Sequence, residues 1–172
     1  MTGLKYSVLV LALLLSASFK TTKAQAQAVD IGNISELKGN AQVVRDKPYG
    51  AEISFPIQQM DNVKTETGRV AITFADDTIV RVMDHSRLVI DTYIYDPNPK
   101  KSEMALRFAS GTARFVTGKF NNKKNIKIST PSADVFVRGT DFTITTTPET
   151  GSSLVILLPD EYGKSSGEII VA

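Results

Sequence analysis

The chain has 172 residues, 42% of them hydrophobic, with 20 basic and 18 acidic side chains, a formal net charge of +2, one histidine and no cysteine. Without cysteine there are no disulfides, thiolate metal sites or thiol nucleophiles, and a single histidine would leave a transition-metal site resting on carboxylates. The near balance of charge lacks the basic excess on which nucleic-acid binding depends.

Residues 1–26 read as a secretory signal peptide. Lys5 supplies a positive start, Tyr6 to Ala17 form a short apolar run, and Ala24-Gln25-Ala26 offers the small-x-small cleavage pattern. A membrane-spanning helix needs about 20 apolar residues, and this run ends too soon. Cleavage would remove Lys5, Lys20 and Lys23 and no acid, leaving 17 basic against 18 acidic residues and a net charge near −1. A cysteine-free exported chain fits a periplasmic or secreted bacterial protein, and residues 27–172 are long enough for one self-sufficient domain.

Along the rest of the chain the apolar period is close to 2, so the expected fold is all-β. It would be an antiparallel sandwich or barrel-like roll of short strands and hairpins with almost no helix. Ile34 to Leu37 and Ala41 to Arg45, divided by Lys38-Gly39-Asn40, read as two short strands. Residues 69–83 read as a hairpin turning at Ala75-Asp76-Asp77-Thr78, with either Ile79 or Val80 facing inward. Leu88 to Tyr95 form a strand that stops at the prolines 97 and 99. Met104 to Phe108 and Ala113 to Val116 read as a second hairpin turning at Ser110-Gly111. Further strands follow at 126–128, 135–137, 142–145, 154–158 and 168–171.

The interruption Arg138-Gly139-Thr140-Asp141-Phe142 is the sharpest local signal. Arg138 could fork onto an anion with Asp141 as its partner or a general base. Alternatively, Gly139 lets an extended backbone kink while Arg138 and Asp141 pair or cap the freed amides. The structural reading is preferred, because no nucleophile or histidine stands near by. The second signal is basic crowding over residues 100–127, including Arg114, Lys119, Lys123, Lys124 and Lys127. It reads as a solvated hairpin face or as a dock for an anionic partner. His85 reads as a loop residue and Asp76-Asp77 as a turn, since adjacent acids lack the alternating spacing of a calcium loop. No hydrolase elbow, zinc-protease helix or dinucleotide fingerprint occurs. No catalytic residue, metal or cofactor is therefore assigned.

In order, the segments GNAQVVR, VKTETGRVAITFADDTIVRVMDHSRLVID, LRFASGTARFVTGK and IKISTPSADVFVRGTDFTI resemble the FecR-like domain family across roughly residues 39–144. The resemblance implies an all-β periplasmic domain that senses or interacts and is not an enzyme, with Gly139 and Thr140 in a structural signature. Asp76-Asp77-Thr78 departs from the Asp-Gly-Ser or Asp-Gly-Thr often found there. Regulatory relatives carry a cytoplasmic segment and then a transmembrane helix. Only five residues precede the apolar run here, so no relay across the inner membrane is expected through this polypeptide.

The expected function is a non-enzymatic sensing or interaction module binding an envelope protein. The alternative is recognition of an acidic glycan or peptidoglycan, with Arg138, Tyr93, Tyr95 and the lysines of 119–127 as contacts. Neither involves nucleic acid.

Overall fold

The computed structural model describes residues 29–96, 98, 101–119, 126–139, 141–160, 162–164 and 167–172. The signal-peptide expectation for residues 1–26 lies outside the described residues. Alternation of apolar and polar side chains produces strands nearly throughout: β1 (Asp30–Val44), β2 (Pro48–Gly50), β3 (Pro56–Gln58), β4 (Asn62–Phe74), β5 (Ile79–Val82), β6 (Arg87–Ile94), β7 (Glu103–Val116), β8 (Ile126–Ser129), β9 (Asp134–Arg138), β10 (Asp141–Thr146), β11 (Ser153–Leu157) and β12 (Glu168–Val171). Among the described residues, all pairings are antiparallel except β7 with β8.

The all-β expectation holds, and the β4–β5 hairpin has the expected turn, with Val80 inside and Ile79 outside. Two local expectations fail. β1 is one strand of 15 residues and β7 one strand of 14, not pairs of short strands or a hairpin. The glycines that looked like turns are bends within them.

Bent strands let the hydrogen-bonded network fold back on itself. The first half of β7 pairs with β6 and β8, and its second half with β5 and β10. β4 likewise pairs with β6 through Asn62–Lys64 and with β5 through Val70–Thr73, and β1 follows it along its whole length. Two sheet arms result. One runs β2, β1, β4, β6, β7, β8, β9, β12, and the other runs β3, β1, β4, β5, β7, β10, β11. Within them, β4, β5, β7 and β6 close into a four-stranded ring, the small barrel at the centre of the fold.

The bends need glycine for a steric reason. Gly39 and Gly68 face one another across the β1–β4 ladder. A Cβ on Gly39 would stand 2.2 Å from the Thr67 carbonyl oxygen, and one on Gly68 would stand 2.4 Å from that of Lys38. Gly111, at φ 91°, lies against Ser86, whose hydroxyl accepts the Thr112 N–H at 2.9 Å. Inward side chains of both arms meet in one core. Phe115 stacks on Phe142 at 5.0 Å and meets the edge of Phe108 at 6.4 Å. Burying four phenylalanines completely contributes about 1.5–3 kcal/mol each.

Candidate functional site

The Arg138–Phe142 segment is where the chain leaves one sheet arm and enters the other. Arg138 is the exposed last residue of β9, opposite Glu168 of β12. Gly139 has φ 53°, a left-handed conformation that favours glycine, yet among the described residues beyond its chain neighbours nothing lies within 4 Å of where its Cβ would stand. The glycine is therefore needed for backbone direction and not for close packing. Asp141 opens β10, where its carboxylate accepts hydrogen bonds from Arg114 Nε at 2.9 Å and Nη2 at 2.5 Å. Phe142 is fully buried against Phe115. Thr140 lies outside the described residues. Arg138 and Asp141 thus stand on strands of different arms.

The basic segment is scattered by the same topology. Ala113 and Phe115 are buried, so Arg114 points outward from one arm; Ile126 and Ile128 are buried, so Lys127 points outward from the other. Each described member of the sequence patch has a carboxylate beside it. Arg114 pairs with Asp141, Lys119 with Asp77 at 2.7 Å, and Lys127 with Asp134 at 2.9 Å. Hydrogen bonds from Lys127 and Ser129 hold the Asp134 carboxyl below its ordinary pKa, and the bond to Asp77 raises that of Lys119. Lys123 and Lys124 lie outside the described residues. Tyr93, expected as a surface contact, is instead 6% exposed and stacked on Phe74 at 5.3 Å, whereas Tyr95 is 43% exposed.

The feature that the linear reading did not single out is the condition of the sheet edges. β2 and β3 are three residues long and each begins with proline, a common protection against edge pairing. Among the described residues, β11, with the sequence SLVIL, pairs only with β10, and it contains neither charge nor proline. Leu154 and Ile156 are exposed on its outer face at 58% and 47%, while Val155 and Leu157 are half-buried against the core. Leu158 N–H donates to the Asp141 carbonyl and Thr147 N–H to that of Ser152. The ladder alternates, so Leu154 and Ile156 direct their backbone groups toward β10, and Ser153, Val155 and Leu157 direct theirs away from it. The uncharged run with apolar residues at both parities was visible in sequence; its place at an edge was not.

A family model described as FecR protein matches residues 61–159, more than half of the chain. The chain belongs to the FecR family. No curated protein and no solved structure matches it. FecR is a regulatory signalling family not known for enzymatic activity, and FecR domains are associated with the bacterial envelope.

The FecR match takes in the central ring, β10 and β11. Within it the β4–β5 turn is fixed by a buried carboxylate. Asp76 is fully buried, accepts the Thr78 hydroxyl at 2.5 Å and the Tyr93 hydroxyl at 3.0 Å, and its own N–H donates to the Tyr93 oxygen at 3.0 Å. Burial, then the Asp76 charge, raises the Tyr93 pKa far above its usual value. Asp77 has φ 68°, the left-handed conformation more usual for glycine. These groups hold a corner of the fold together. Among the described residues, no group of three or more His, Cys, Asp or Glu is placed to hold a metal ion, and no helix is long and apolar enough to cross a membrane.

Proposed function

We propose that residues 27–172 act as one non-enzymatic FecR sensing and interaction domain, exported to the bacterial periplasm by residues 1–26, which binds an envelope protein by adding that partner's strand to β11. The supporting observation is the unprotected β11 edge. Its outward backbone groups at Ser153, Val155 and Leu157 are set to pair with an extended segment, and Leu154 and Ile156 offer aliphatic contacts on the outer face. Main-chain pairing would supply affinity and the neighbouring aliphatics selectivity. The glycan reading has less behind it, because the described cations of residues 107–127 already have carboxylate partners.

The experiment is capture from envelope extract by the immobilised domain, compared with Val155→Pro. That substitution removes an outward N–H and leaves the ladder to β10 intact. One envelope protein should be captured, resist high salt, slow hydrogen exchange at the Val155 and Leu157 amides, and be lost with Val155→Pro. Equal capture by both proteins overturns the strand-addition reading. Retention of acidic glycan that salt releases favours the alternative.

A further inference from the structure

A second feature, independent of the β11 edge, lies at the corner where β1 and β4 bend. Lys38 and Arg69 are directly opposite one another in the β1–β4 ladder, so they project from the same face, and both are exposed. Like charges in that relation repel. Arg81 and Arg114 are also directly opposed, but Glu36 stands 3.3 Å from the first and Asp141 2.5 Å from the second. Among the described residues, no side-chain hydrogen bond or ion pair relieves Lys38 or Arg69.

The two cations line a concavity of about 510 Å³, with Gly39, Gly68, Thr67 and Met83 forming other parts of its wall. The hollow exists because glycine stands on both strands at the bend. Asp84 also lines it, with its carboxylate 3.5 Å from His85 Nδ1. Two positive charges therefore face one negative. Lys64 and Arg87 form a third opposed pair, but Arg87 Nε donates to Asn62 at 3.2 Å and neither residue lines this hollow.

We propose that this corner is a binding site for an oxyanion, a phosphate or carboxylate group carried by a larger envelope molecule, which would bridge the Lys38 ammonium and the Arg69 guanidinium. Arg69 supplies a planar fork and Lys38 a mobile point charge, a combination suited to a group with two or three accessible oxygens. Removing the repulsion between the cations adds to the attraction of each for the anion.

Titration of the labelled domain with inorganic phosphate and, separately, with glucuronate, at constant ionic strength, tests the site by amide chemical shift. Saturable shifts should concentrate at Lys38, Gly39, Gly68 and Arg69, with a midpoint of about 1–10 mM for these minimal probes. Stronger binding of phosphate would point to a phosphorylated source, and stronger binding of glucuronate to an acidic sugar. The Lys38→Gln/Arg69→Gln double variant should abolish the shifts, whereas Lys64→Gln should not. If the double variant fails to fold, Lys38→Gln alone should weaken binding at least about threefold. No saturable response to either probe, a response that survives loss of these charges, or equal shifts at Lys64 and Arg87 would overturn the proposal.

Discussion

Gly68 faces Gly39 across the β1–β4 ladder so closely that a methyl group on either would stand within 2.4 Å of a carbonyl oxygen of the opposite strand. Backbone cannot yield as a flexible side chain can. Gly68→Ala is therefore expected to destabilise the domain by about 3 kcal/mol, measured by urea unfolding. Gly139→Ala should cost only about 1 kcal/mol, because open space surrounds that position and only its left-handed φ is at stake. Equal losses would show that the fold does not depend on the crowded bend.

Tyr93→Phe removes a hydroxyl that both donates to the Asp76 carboxylate and accepts the Asp76 N–H. Two buried polar groups lose a partner. The expected cost is about 2–3 kcal/mol, seen as a lower midpoint in thermal unfolding with unchanged β content at room temperature.

Asp134 titrates below the usual carboxylate range because Lys127 and Ser129 hydrogen-bond its charged form. Its folded pKa lies below its unfolded one, so the stabilisation is complete above the unfolded value and is lost as pH falls through the folded value. Carboxyl-carbon NMR should place the Asp134 midpoint below that of an exposed aspartate. Lys127→Met should move it upward and flatten the acid limb of the stability profile.

Proline distinguishes the two parities of β11. Leu154→Pro deletes an N–H directed toward β10 and should cost about 3 kcal/mol, whereas Val155→Pro deletes one directed outward and should cost about 1 kcal/mol or less. Urea midpoints of the two variants measure the difference, and reversal of their order would mean that the edge faces the other way.

The period-2 pattern made the fold class and the β4–β5 hairpin legible, since Val70, Ile72 and Phe74 alternate before a polar turn. Gly39 and Gly111 were misread because a glycine in a short polar interruption looks alike whether the chain reverses or bends. What decides between them lies opposite, at Gly68 and Ser86, tens of residues away. The same distance hid the partners of the cations: Arg114 meets Asp141 only because β7 lies beside β10. The change of sheet arm between Arg138 and Asp141 depends on pairings the linear chain does not display. Tyr93 and Tyr95 share a parity, yet the end of the strand leaves one covered and the other at the rim.

The closed circuit of β4, β5, β7 and β6 also governs how the protein comes into being. The pairing that closes it, β5 with β7, joins Ile79–Val82 to Ala113–Val116 across the intervening β6, so little stability accrues until β7 has arrived, and assembly should be slow and highly concerted. Tension on the termini would find no loose hairpin at the centre from which to peel, and the hoop would have to shear before its core gave way.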